Sequence, residues 1–344
     1  MRVLVYEFVT GGGWYSHADG PPPDSLVSEG RAMRDALASD FAAVDGASVD
    51  VLHDVRHPPV ELSGVTVHAI ESAAAEMRAV RRLAAEVDWT VLIAPEFGGH
   101  LLARTEAVEL AGGRLLGPSS GLTALAADKH ATAGHLARQG ILVPRGIALA
   151  PGAALRAEFS YPAVLKPRTG AGSLGIEWFD RWPAGRTAGN APARLEVYCP
   201  GTAVSVACLC GPDKIVPLAP CRQNLAGGGD FTYLGGSLPL APALADRAQR
   251  LAARAVGSLP SPIGYLGVDL VLGDDPRGKG DVVIEINPRL TTSYVGLRAL
   301  SRVNLAATMI AVAQGREVGL CWKSEDIHFT SSGSCVTSSV HGNP

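Results

Sequence analysis

The sequence predicts an α/β chain that opens with a doubly wound parallel sheet and continues as an α+β region built from short strands. Three observations carry that expectation. Over 1–117, apolar runs of strand length alternate with segments of helical periodicity, the pattern of parallel strands joined by crossover helices. At Gly117-Pro118-Ser119 the pattern shifts, and from 195 onward the apolar segments are short, turn-bounded and separated by few helices.

The elements follow in order. A buried strand over 3–9 leads into Thr10-Gly11-Gly12-Gly13, and a helix over 26–38 comes next. Strand 49–52, helix 73–85, strand 90–94, helix 105–111 and a short strand near Leu115 complete the first region. One or two helices over 121–140 contain Asp128-Lys129, and strands follow at 146–149, at 163–166 and near Ile176. The Pro-, Gly- and Ala-rich stretch 181–193 reads as a loop. Beyond it lie short strands, a helix over 244–256, a strand pair around Asp269 and Glu285, and a last helix over 304–314. The Ser-rich segment 324–344 reads as a polar, loosely held tail.

With 344 residues the chain can bury a large interior in two or three packed units. Apolar residues make up 47% and charged ones 18%, and the net charge is -3, so no basic field for nucleic acid exists. The 6 cysteines (Cys199, Cys208, Cys210, Cys221, Cys321, Cys335) show neither C-x-x-C nor zinc-like spacing, which fits reduced thiols in the cytoplasm. The start, MRVLVYEFVTGGG, meets Glu7 before any long apolar run and reads as a strand rather than a signal peptide. No apolar segment reaches the roughly 20 residues of a membrane span. Small molecules are therefore the expected partners, not nucleic acid or membrane.

Two motifs carry chemistry. In VLKPRTGAGSLGI (164–176), a strand ends in Lys166 and runs into a loop with Gly170, Gly172 and Gly175. Such a loop lets backbone N–H groups approach anionic oxygens while the lysine adds a point charge. It lacks the G-x-x-x-x-G-K-[ST] order, and by itself an ordinary glycine-rich turn is as common. The second motif is the pair YLGVDLVL (265–272) and VVIEINP (282–288) around a turn-rich linker, which reads as a hairpin. Period-two alternation puts Glu285 and Asn287 on one face, and near-symmetric register brings Asp269 beside them. Two carboxylates and an amide are costly to bury unpaired, and a hard cation such as Mg²⁺ relieves that cost. A solvated sheet face is the plainer alternative, but the apolar flanks and the upstream glycine loop weigh against it.

The ordered set Asp128-Lys129, Val164-Leu165-Lys166-Pro167 with its glycine loop, Glu196-Val197-Tyr198-Cys199-Pro200-Gly201, Asp269 and Glu285-Ile286-Asn287-Pro288-Arg289 resembles the ATP-grasp superfamily over about 115–315. The resemblance implies a pre-ATP-grasp domain (1–117), a small lid subdomain (118–195), a large subdomain (196–323) and the tail (324–344). It implies ATP as cosubstrate, with Lys129 and Lys166 on its phosphates and Gly170, Gly172 and Ser173 in the glycine loop. Glu196 would accept from the adenine amino group, and Val197, Tyr198 and Cys199 would read the ring edge. Asp269, Glu285 and Asn287 would hold one or two Mg²⁺ ions, or Mn²⁺ in their place. Lys166, Arg289 and Asn287 would be the catalytic set, with Arg289 facing the transferred phosphate. The acid that many members place on the ribose is replaced here by Ala203. Without the ordered set, Lys129 would read as a solvated helix lysine and Glu196 as a strand-edge acid.

Such a site implies a carboxylate–amine ligase working through an acyl phosphate. The stretches MRVLVYEFVTGGG, IAPEF (93–97), CRQN (221–224), FTYLGGSLP (231–239) and NPRLTTSY (287–294) are similar to the branch holding tyramine–glutamate ligases of methanofuran-type cofactor synthesis. That implies tyramine as amine and the γ-carboxyl of glutamate as acyl donor; a homodimer is compatible with it. Among candidate substrate residues, Arg222 and Arg289 suit bidentate carboxylate binding, and Glu7 and Glu96, at strand C-termini, suit an ammonium. The plainer roles are a surface salt bridge for Arg222 and a sheet-edge acid for Glu7. Thr292 and Ser293 could donate to substrate or phosphate, or cap the next helix. Three readings compete: a dinucleotide-dependent oxidoreductase, although Gly11-Gly12-Gly13 lacks G-x-G-x-x-G spacing; a non-catalytic ATP-binding regulator; and a ligase for another amino acid or a biotin-carboxylase-like carboxylating enzyme.

Overall fold

The computed structural model describes residues 1–17, 20–170 and 174–339, arranged as three sheets. The first is parallel, in the order β3-β2-β1-β4, from β1 (Arg2–Glu7), β2 (Ser48–Asp54), β3 (Val65–Ile70) and β4 (Trp89–Ile93). Val3, Val5, Val49 and Val51 pack on α1 (Asp24–Ala42), while Leu4, Tyr6 and Leu52 pack on α2 (Ala73–Glu86) and α3 (His100–Leu110). Burial on both faces explains why these strands are continuous apolar runs. The short strand at Leu115 is present as a bridge to Thr90. The sequence reading lacks β3 because Ile70 is its one buried residue, so no apolar run marks it.

Two short helices, α4 (Ser120–Ala127) and α5 (Lys129–Arg138), lead into the second sheet. Asp128 separates them: its carboxylate accepts from the backbone N–H groups of His130 and Ala131 at 2.9 and 3.0 Å. That cap starts α5 at Lys129 and fixes where the lysine emerges. The sheet is antiparallel, ordered β5-β8-β6-β7, from β5 (Gly146–Leu149), β6 (Ala163–Pro167), β7 (Glu177–Phe179) and β8 (Ala193–Val197). It has its own small core of Leu149, Leu155, Ala163, Leu165, Ala193 and Leu195.

The third sheet has eight strands: β9 (Thr202–Gly211), β10 (Lys214–Pro217), β11 (Cys221–Gly227), β12 (Asp230–Leu238), β13 (Gly264–Leu272), β14 (Val282–Asn287), β15 (Glu325–Thr330) and β16 (Cys335–Ser339). One face, with Val204, Val206, Leu266, Val268 and Leu270, is covered by α6 (Pro242–Gly257). The other, with Ala207, Leu209 and Tyr265, packs on α7 (Ser293–Leu300) and α8 (Leu305–Ala313) and shares one core with α1 and the first sheet. Because that core joins the first and third sheets, groups from both converge on one cleft.

Two elements differ from expectation. The segment α7 is a helix of its own, and residues 325–339 are not a loose tail: β15 pairs with β12, and β16 with β15. The polar composition hides two apolar residues at period two, Ile327 and Phe329, which are 0% and 3% exposed. Ile327→Ala is expected to lower stability by about 2–5 kcal/mol in chemical unfolding, whereas a loosely held tail would register almost nothing. No helix among the described residues is long and apolar enough to cross a membrane.

Candidate active site

The hairpin of β13 and β14 has the expected register. Asp269 stands directly opposite Glu285, and Gly267 opposite Asn287. Their face does not look into open solvent. It lines a cavity of about 290 Å³ bounded by the second and third sheets, α1 and the loop after β14. Asp269 accepts from the Asn287 side-chain amide at 3.0 Å and from Gln223 Nε2 at 3.0 Å. Burial, then the facing Glu285 carboxylate, push the Asp269 carboxyl up. Burial also acts to raise Glu285, but Lys129 and then Lys166 overcome it and hold its carboxyl below the usual range.

Three cation–carboxylate pairs meet at this cavity. Lys129 Nζ lies 2.7 Å from Glu285 Oε2 and donates to the Gly170 carbonyl at 2.9 Å. Lys166, 2% exposed, places Nζ 2.5 Å from Glu196 Oε1, while Arg194 Nε donates to Glu196 Oε2 at 2.7 Å. Arg289 grips Glu96 bidentately, Nε to Oε1 at 2.9 Å and Nη2 to Oε2 at 3.2 Å. Such fork-on-fork pairs fix orientation as well as charge.

Val197, Tyr198 and Cys199, where the chain passes from the second sheet to the third, line the cavity together with Val164 and Ala203. Gly201 makes that connection tight: at φ +148° its α-carbon approaches Leu272 so closely that a β-carbon would sit 2.3 Å from the Leu272 carbonyl oxygen. Gly170 also lines the cavity, whereas Gly172 and Ser173 lie outside the described residues. Thr292 and Ser293 face the cavity too. Neither acts as a cap, since α7 starts without any side-chain cap bond. Thr292 Oγ1 instead donates to Glu29, and Ser293 Oγ lies 2.9 Å from Thr291 Oγ1.

Three substrate candidates do not line the cavity. Glu7, 3% exposed, turns back on its own loop and accepts from Val9 N at 2.9 Å and from both Thr10 N and Thr10 Oγ1 at 2.7 Å. Its carboxylate is thus spent on holding the turn after β1. Arg222 is exposed and lies on β11 opposite Val204, which belongs to the α6 side, so it points away from the cleft. Its neighbour Gln223 takes the place instead. Alternation along CRQN held that signal, because Cys221 is buried on the cleft side and Gln223 follows two positions later. Glu96 is present only behind Arg289. The glycines 11–13 are buried rather than open to a ligand, which removes the dinucleotide reading's loop.

The donor set around Asp269 suits a hard divalent cation: two carboxylates and an amide oxygen, all on one face, with Lys129 paired to Glu285 and Lys166 and Arg289 also acting on it. Among the described residues no group of three or more His, Cys, Asp and Glu side chains could hold a metal. Asn287 and oxygens brought by a bound phosphate or water would have to complete the shell.

Two family models match the chain, an ATP-grasp domain over 126–293 and a pre-ATP-grasp domain over 47–121. The tyramine–L-glutamate ligase of Methanocaldococcus fervens is 26% identical over 318 residues, 92% of this chain and 97% of that protein. Its Methanocaldococcus jannaschii counterpart is 25% identical over 317 residues, covering 90% and 91%. Among solved structures, an ATP-grasp superfamily protein from Archaeoglobus fulgidus superposes with a TM-score of 0.70 at 24% identity, over 95% of this chain and 92% of that one. An L-amino acid ligase from Bacillus licheniformis gives 0.65 at 16% identity, over 95% and 78%. At those identities the structural likenesses speak for the fold.

Proposed function

The chain belongs to the ATP-grasp superfamily and is a ligase, and from that premise we propose that it joins a carboxylate to an amine through an acyl phosphate, with L-glutamate and tyramine as the substrates. The observation that carries the reading is the convergence of Lys129, Lys166 and Arg289 with the Asp269–Glu285–Asn287 face on one cavity. Three cations, Lys166 buried and Lys129 and Arg289 partly so, each now held by a glutamate, suit an anionic ligand such as a triphosphate, which exchanges protein carboxylates for phosphate oxygens.

In the proposed reaction an oxygen of the substrate carboxylate attacks the γ-phosphorus of ATP, and the bond from that phosphorus to the β,γ-bridging oxygen breaks. The products are ADP and an acyl phosphate. The amine nitrogen then attacks the acyl carbon, the C–O bond to phosphate breaks, and the nitrogen loses its proton as the amide forms. Lys166 and Lys129 offset charge on the phosphates, and Arg289, at the cavity's far side, orients the attacking carboxylate. Asp269, Glu285 and Asn287 would hold Mg²⁺, which when bound supplies positive charge to phosphate oxygens. Val197, Tyr198 and Cys199 present backbone and side chains to the base. Wasteful hydrolysis, in which water attacks the γ-phosphorus and ADP leaves, is limited by how far the cavity excludes water. Six free thiols fit a reducing cytoplasm.

ADP release measured against panels of amines and carboxylates tests the reading. Turnover that requires both tyramine and glutamate is the expected result. Nucleotide binding without turnover under any pair would favour a regulator, and turnover with bicarbonate would favour a carboxylating enzyme.

A further inference from the structure

Four acidic residues line the cavity: Glu29, Glu196, Asp269 and Glu285. Glu196 is held by Lys166 and Arg194, and Glu285 by Lys129. Asp269 receives amide donors from Asn287 and Gln223 and faces Glu285 in the metal-binding arrangement. Glu29 is different. It projects from α1 of the first sheet's layer, is half-buried, accepts from the Thr292 hydroxyl, and forms no ion pair among the described residues. A carboxylate taken partly out of water with one hydroxyl donor leaves most of its hydrogen-bonding capacity unmet.

The surroundings limit what can complete it. A single carboxylate amid the hydroxyls of Thr291, Thr292 and Ser293 offers too few anionic oxygens for a dedicated divalent cation. A second anion would be repelled. Tyr233 and Leu225, paired directly between β12 and β11, line the same cavity. Burial first, and then the charges of Cys221, Asp269 and Glu29, push the Tyr233 phenol well above its ordinary range. An acid facing an aromatic and aliphatic wall matches a primary ammonium carried on an apolar body.

Resting on the ligase reading, we infer that Glu29 binds the ammonium group of the amine substrate, with Tyr233 and Leu225 forming the wall against its aryl or alkyl body. This assigns neighbouring groups of opposite charge to the two substrates. Arg289 faces the carboxylate, and Glu29, bonded to Thr292 and close enough to act on the charge of Arg289, faces the amine. A nitrogen held at Glu29 arrives as an ammonium beside the acyl group and passes one proton to the Glu29 carboxylate before its lone pair attacks, so the site both concentrates and restrains the nucleophile.

Calorimetric binding of tyramine and phenethylamine, run beside ADP release, tests the assignment with wild type, Glu29→Gln and Glu29→Asp. A charged hydrogen bond of this kind is worth about 1.5–3 kcal/mol, which corresponds to a weakening of about 10- to 100-fold. Glu29→Gln is therefore expected to raise Kd and KM for the amine by that factor while KM for ATP and for glutamate stay within about threefold. Glu29→Asp should recover part of the loss. Turnover in Glu29→Gln with an unchanged amine KM would overturn the inference and leave the ligase reading standing. Amine binding that depends on Glu29 without any turnover in wild type would instead overturn the ligase reading alone. A uniform loss across ATP, glutamate and amine would assign Glu29 a merely structural part and overturn the inference too.

Discussion

Glu285→Gln is expected to lower ATP turnover by about 10²- to 10³-fold, the usual cost of removing one preorganised charge from a site of the proposed kind. Gln keeps the shape and an oxygen donor but withdraws one of the two facing carboxylates and the partner of Lys129. The face then carries one carboxylate, Asp269, with the amide groups of Asn287 and Gln223 already bonded to it. Mg²⁺-dependent nucleotide binding should weaken in parallel, while stability is subject to two opposed effects, the like-charge contact with Asp269 relieved and Lys129 left without its carboxylate. Turnover titrated against Mg²⁺, with and without chelator, reads both effects. A variant with wild-type kcat at saturating Mg²⁺ would remove Glu285 from the metal platform.

Arg289→Leu is expected to destabilise the fold as well as to stop the reaction. Glu96 is 5% exposed and has both carboxylate oxygens on the Arg289 guanidinium. Removing the arginine strands a buried carboxylate, for which about 3–5 kcal/mol is the expected loss. The pair also spans the first sheet's layer and the loop after β14, so the contact between those layers weakens with it. Adding Glu96→Gln to Arg289→Leu should restore most of the lost stability and none of the turnover. Chemical unfolding and ADP release on the two variants separate the contributions. Full stability in the single variant would show that Glu96 finds another partner, and activity in the double variant would free Arg289 from any part in catalysis.

Much of this was legible in the chain. The first sheet's strands are buried on both faces, so their apolar runs announced them, and β3 escaped because it is an exposed edge with one buried residue. The hairpin register could be read from period two alone, and Asp269 does stand opposite Glu285. The segment 324–339 was misjudged because composition averages over residues, whereas a strand needs only Ile327 and Phe329 on its inner face to stay docked.

The site residues divide along the same physical line. Local pattern was enough for Lys129, which follows a helix-capping aspartate, and for Lys166 at a strand end, because a few neighbouring residues fix where such side chains emerge. Glu7 and Arg222 had the right chemistry at plausible positions. The sequence does not state that the turn after β1 uses up three acceptor sites of Glu7, or that Arg222 faces away from the cleft.

By itself the sequence determined the three-part order of elements, the hairpin face and the ATP-grasp motif set, all of which depend on spacing over a few residues. Only the tertiary structure decided the pairings that cross hundreds of residues: Lys129 with Glu285, Arg289 with Glu96, and Glu29 with Thr292. Those depend on how the layers pack around a shared core, and an acid's neighbours in space, unlike its neighbours in the chain, set whether it is neutralised, bonded or left to meet a ligand.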